Sequence, residues 1–169
     1  MRAPVEHAVT VFYGGKEAYG FHALEALECM VERRKGGETG IASVECVDGP
    51  GVWTWTDAQP WAARLLDAAL ARSETKKPGS PRENVKTPIL FRLQYRSGLS
   101  AAVYILNGHC EDCTFAADLK GVSDSLKKTI AGAETSLNTL KEGDMGKALA
   151  NQPGCQATAP SGSASPSAS

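Results

Sequence analysis

The sequence predicts an α+β domain: an antiparallel sheet of about four or five strands packed by two main helices, followed by a disordered C-terminal tail. Three observations carry that expectation. Segments rich in β-branched and aromatic residues recur at 7–13, 41–47, 89–95 and 99–106. Two stretches, beginning near Glu17 and near Thr56, instead place apolar residues at helical spacing. The last strand-like segments then follow one another with no helix between them, which predicts an antiparallel meander with the helices on one face.

The first strand, 7–13 (HAVTVFY), stops at Gly14-Gly15. Beyond Glu17, Phe21, Leu24, Leu27 and Val31 recur at helical spacing with Ala23 and Met30 beside them, so one apolar stripe is expected to face a core. Arg33, Arg34 and Lys35 gather where cations suit the helix dipole, and Gly36-Gly37 ends the helix. The segment 41–47 alternates weakly and closes in the turn Asp48-Gly49-Pro50-Gly51. A tryptophan-rich connection, 52–55, leads to a helix capped by Thr56 or Asp57 and running to about Arg72, with Leu65, Leu66, Ala69 and Leu70 on its buried side. Pro78, Gly79, Pro81 and Pro88 mark 73–88 as a mobile surface loop. In the hairpin that follows, 89–95 puts Ile89, Phe91, Leu93 and Tyr95 on one face and Arg92 and Gln94 on the other. Arg96-Ser97-Gly98 turns the chain, 99–106 returns, and a further strand is expected at about 114–120. The chain thus divides into an α+β domain over 1–121, a weakly helical extension over 122–150 and a tail over 151–169 built almost entirely of small residues and proline.

Composition narrows the function classes. A formal net charge of −1 gives no bulk attraction to nucleic acid or to an anionic membrane. No window approaches the roughly 20 apolar residues that span a bilayer, and no signal-peptide pattern precedes Gly14, so a cytoplasmic protein is expected. The 5 cysteines are an odd number without the regular spacing of a disulfide framework, and thiols are expected. No Ser-His-Asp or Cys-His order suggests a nucleophilic enzyme.

One long segment carries a family resemblance. Gly14-Gly15-Lys16-Glu17-Ala18-Tyr19-Gly20-Phe21-His22-Ala23-Leu24-Glu25, continuing through Met30 to Gly40, resembles the C-terminal half of predicted dehydrogenases of the glucose–fructose oxidoreductase and inositol dehydrogenase type. The likeness extends through Val52-Trp53, 65–70, 95–99, 106–109 and Thr114-Phe115-Ala116-Ala117, covering about 5–121. It implies a substrate-binding and oligomerisation half of an NAD(P)-dependent oxidoreductase-like protein, acting on a sugar-like or polyol hydroxyl and inactive alone. The resemblance also implies a Rossmann domain that holds NAD(P) and a catalytic lysine. No G-x-G-x-x-G follows a strand in this chain, so no cofactor is expected to bind to it alone. After Gly121 the likeness stops, and a truncated or frame-shifted product is expected. A homo-oligomer through the sheet face is the implied partner. The alternative is a stand-alone interaction module that dimerises or docks through its sheet.

The resemblance also assigns candidate residues. A Gly-x-His-x-x-Asp pattern near the start of the family's first helix is matched by Gly20-Phe21-His22-Ala23-Leu24-Glu25, with Glu25 in place of the aspartate and Ala18 where an acid often stands. His22 is thereby the candidate catalytic histidine, able to move a proton at a hydroxyl, with Tyr19 and Glu25 beside it as substrate contacts. Its place on the helix, opposite Leu24 and Leu27, equally suits an exposed histidine. Arg33 and Arg34, before a glycine loop, suit either an anionic ligand group or plain compensation of the helix dipole. His109, Cys110 and Cys113 form the one metal-like cluster, but C-x-x-C with one histidine lacks a fourth ligand, and two thiols in an exposed loop are the simpler use. Trp53, Trp55 and Trp61 suit a ligand platform or, more simply, packing against the sheet.

Overall fold

A computed structural model of the protein describes residues 4–122. The extension and tail expected over 122–150 and 151–169 lie outside those residues, Val122 excepted. The strands are β1 (Val5–Phe12), β2 (Ile41–Asp48), β3 (Ile89–Tyr95), β4 (Ser100–Ile105) and β5 (Thr114–Leu119). The helices are α1 (Lys16–Val31), α2 (Gly51–Ala58), α3 (Pro60–Leu70) and the single turn α4 (Pro81–Asn84). The strands form one 5-stranded sheet in the order β2-β3-β4-β1-β5. The expected α+β class is what the chain adopts, and the sheet is mostly antiparallel; β1 and β4 are its one parallel pair.

The expected meander holds only as far as β4. The chain from Leu106 to Cys113 crosses the end of β1, with the Leu106 amide donating to the Phe12 carbonyl at 2.8 Å, and β5 then pairs with β1. Eight residues are too many for a tight turn, and they leave room for β1 to lie between β4 and β5. β4 and β1 are buried on both faces, which explains the unbroken apolar run Ala101, Ala102, Val103, Tyr104, Ile105 in place of alternation. Helices therefore cover both faces, not one. α1 closes a core with Ala8, Leu93, Leu99, Val103 and Ile105, while α2 and α3 close a second with Val9, Val11, Leu90, Ala102 and Tyr104.

α1 buries Gly20, Ala23, Leu27 and Val31, and the expected stripe member Phe21 is instead 67% exposed. The helix lies close to the sheet, since a Cβ on Gly20 would come within 3.3 Å of the Phe91 ring. Small residues therefore occupy the contact, and the large apolar side chain is rotated out. The tryptophan-rich connection is itself helical. Pro60 starts α3 after Gln59, and Thr56 lies inside α2, donating or accepting across 2.9 Å with the Tyr104 hydroxyl. The 73–88 loop is pinned: Ser80 and Glu83 form a capping box on α4, and Asp112 accepts from the Ser73 hydroxyl and the Glu74 and Thr75 amides.

Candidate functional site

Strand register places five polar residues in one line across the whole sheet. In spatial order they are Ser43, Gln94, Ser100, His7 and Asp118, one from each strand. All five lie on the α2–α3 face, because each is two residues from a neighbour that points there. The adjoining line is Glu45, Arg92, Ala102, Val9 and Ala116, polar over β2 and β3 and apolar where α3 sits. α2 and α3 cover the sheet centre and stop short of this corner. A cleft of about 310 Å³ results, floored by Ser43, Glu45, Arg92, Gln94 and Ser100 and walled by Trp55, Gln59 and Trp61.

A continuous string of contacts runs from β5 to the cleft. Arg64 grips Asp118 with both guanidinium nitrogens, at 2.9 and 2.5 Å, and His7 Nδ1 lies 3.5 Å from the same carboxylate. The His7 ring stacks on Trp61 at 4.7 Å, Trp61 meets Trp55 edge-on at 5.9 Å, and Arg92 lies 5.5 Å above the Trp55 ring while ion-pairing with Glu45. The Arg64 hydrogen bonds hold the Asp118 carboxyl below its ordinary range against the opposing effect of burial. Within the floor, Ser100 Oγ donates to Gln94 Oε1 at 2.7 Å. Such an arrangement offers donors and acceptors side by side with flat aromatic walls, and its charges are already paired.

Of the residues singled out by sequence, Trp55 and Trp61 wall this cleft, and the candidate catalytic, substrate and metal residues lie elsewhere. His22 is exposed on the outer side of α1, with Nδ1 3.2 Å from Glu25. Tyr19 packs on Phe12 and Tyr13 and stands edge-on to His22 at 6.4 Å, so Tyr19, His22 and Glu25 do share one surface. Arg33 and Arg34 lie beyond the other end of the helix, and Arg33 is exposed. Arg34 is buried: it donates to the Val31 carbonyl at 2.9 Å and to Thr39 and Ser97 hydroxyls, and lies 4.9 Å over the Tyr95 ring. That is the geometry of a helix-end brace.

The His109–Cys113 segment is not the exposed loop expected. His109 and Cys110 are fully buried and Cys113 is exposed. Burial pushes the Cys110 thiol up to about 11, which disfavours the thiolate that redox chemistry needs. His109 Nδ1 lies 2.9 Å from the Asn84 amide, and among the described residues no group of three His, Cys, Asp or Glu side chains is placed to hold a metal. At the strand–Gly14-Gly15–helix turn, a Cβ on Gly14 would fall 2.3 Å from the Tyr19 ring, so the Tyr19 side chain packs directly against this turn.

Parts of the cleft had a sequence signal. Arg92 and Gln94 alternate with buried residues, and Trp55 and Trp61 raise the platform reading, although both also pack on the core. His7, Ser43, Ser100 and Asp118 carried none, because only the register aligns them. No family model matches the chain, and no curated protein or solved structure is significantly similar to it.

Proposed function

We propose that this domain binds a sugar-like or polyol ligand in the cleft between the Trp55–Trp61 wall and the polar line, as the substrate-binding half of an NAD(P)-dependent oxidoreductase-like protein. The observation that carries the binding reading is the row of neutral hydrogen-bonding groups Ser43, Gln94 and Ser100 beside the edge-on pair Trp55 and Trp61. A polyhydroxylated ring has apolar C–H faces that suit indole and a belt of hydroxyls that suits alternating donors and acceptors. Arg92 and Glu45, already paired, can each hydrogen-bond a hydroxyl without leaving a buried charge uncompensated. The volume matches one small ring rather than an extended chain. The oxidoreductase part of the reading rests on the resemblance over 5–121, and the dinucleotide belongs to a separate nucleotide-binding domain.

Titration with glucose and with a cyclic polyol, followed by tryptophan fluorescence and amide NMR shifts, tests the binding reading. Saturable shifts are expected at Ser43, Gln94 and Ser100. Trp55→Ala and Arg92→Ala should each weaken binding about tenfold, equivalent to about 1.4 kcal/mol. Absence of any response to neutral polyols, or a response that both substitutions leave unchanged, would remove the cleft as the site.

A further inference from the structure

The two edges of the sheet are built differently. β2 carries the usual guards against edge pairing, namely a bulge between Ile41 and Ser43 and the acids Glu45 and Asp48. β5 lacks them. From Thr114 to Leu119 it contains no lysine, arginine, glutamate or proline, and its register with β1 is regular from Thr114 to Asp118. Its one charge, Asp118, is turned under α3 and neutralised by Arg64. An open groove of about 430 Å³ runs between α3 and β5, lined in part by Leu65, Ala68, Phe115 and Ala116. Among the described residues nothing pairs with the outer side of β5.

We propose that β5 is a self-association edge, at which a second copy of this chain adds its own β5 antiparallel about a two-fold axis at Ala116. The strand is complementary to itself in that register. Ala116 meets Ala116 at the axis, where small side chains let the backbones approach. Phe115 lies opposite Ala117 of the second copy, a large residue against a small one on the α1 face. Thr114, whose buried Oγ1 has no hydrogen-bond partner among the described residues, lies opposite Asp118 of the second copy. Just beyond the strand, Lys120 is set opposite Asp112, a favourable pair of charges. Moving the axis to Phe115 would instead oppose Phe115 to itself and Asp118 to Asp112. Pairing removes a row of unsatisfied backbone groups and covers the groove, and it does not depend on what the cleft binds.

Sedimentation velocity of the full chain over a range of concentrations is the first test, with a reversible dimer expected. Ala117→Lys, which places a charge on the bare edge, should return the chain to monomer mass while its far-UV circular dichroism is retained. Ala116→Cys should form a disulfide-linked dimer under mild oxidation, because residues at an antiparallel two-fold lie about 4.5–5.5 Å apart. Ala117→Cys should not exceed the background that the native cysteines give in the wild-type chain. Hydrogen exchange of the β5 amides completes the set, with protection that rises with concentration. A monomer with β5 amides protected at every concentration would show that the chain's own residues 124–169 cover the edge, and would overturn the proposal. So would a monomer with freely exchanging β5 amides, or a dimer that survives Ala117→Lys and leaves Ala116→Cys unlinked.

Discussion

Asp118 joins a helix to the sheet at the end of the polar line, outside the cleft lining. Its carboxylate is held from one side by Arg64 on α3 and from the other by His7 on β1, so it ties a helix to the sheet while ending the polar line. The folded state holds Asp118 with a lowered proton affinity, chiefly through the Arg64 hydrogen bonds. Its stabilisation is therefore complete above the unfolded aspartate range, about pH 4, and is lost as pH falls through the lower folded value. Asp118→Asn is expected to cost about 1–2 kcal/mol at neutral pH, the lower part of the range for charge-assisted bonds because Arg64 is half exposed. Urea midpoints of the two proteins should converge as the pH is lowered below about 4. A difference that stays constant down to acid pH would mean that the Arg64–Asp118 contact contributes nothing through charge.

At the scale of elements, the β1–α1 turn shows how two adjacent glycines differ in kind. Gly14 has φ +85° and its missing Cβ is the space Tyr19 occupies, whereas Gly15, the N-cap of α1, has φ −95° and open space around it. Gly14→Ala is expected to lower stability by about 2–4 kcal/mol through backbone strain and the collision with Tyr19. Gly15→Ala should stay within about 1 kcal/mol, the ordinary cost of replacing an N-cap glycine. Thermal midpoints of the two variants decide it, and equal losses would refute the assignment of the turn to Gly14. The sequence marks this point as a strand stop without separating the two residues. α1 is a parallel case: the periodicity of Leu27 and Val31 finds the helix, yet Phe21 and Gly20 exchange the roles their hydrophobicity suggests, because the depth of the helix on the sheet favours small contacts.

For the molecule as a whole, the cleft lies across four elements that fold together: β2, β3, β4 and the α2–α3 junction. A ligand seated there stabilises only the assembled sheet. At about one hundred times its dissociation constant, a polyol should add about 2.7 kcal/mol to the unfolding free energy. Differential scanning fluorimetry over a sugar and polyol series checks this, and a melting temperature indifferent to every member of the series argues against the cleft. His22 offers the contrast within the same experiment. It is exposed on the α1 face, away from the cleft, so His22→Ala should leave any ligand-dependent shift intact. Loss of the shift in that variant would return the site to the Tyr19–His22–Glu25 surface.

The sequence by itself determined the strand segments, α1, the apolar stripe of α3 and the α+β class, because those follow from periodicity and turn chemistry within a few neighbouring residues, but not α2 or the break at Gln59. It also put Arg92 and Gln94 on one face of their strand and raised Trp55 and Trp61 as a ligand platform or as packing. Only the tertiary structure decided that β1 enters the middle of the sheet beside β4, that helices close both faces, and that Phe21 turns outward. The cleft depended on the same decision. Ser43, Gln94, Ser100, His7 and Asp118 are scattered over more than a hundred positions, and a shift of one residue in any pairing would turn that strand's polar residue to the opposite face. Strand order and register are set by which long-range pairings bury the most apolar surface at once, and that competition leaves no local trace in the chain.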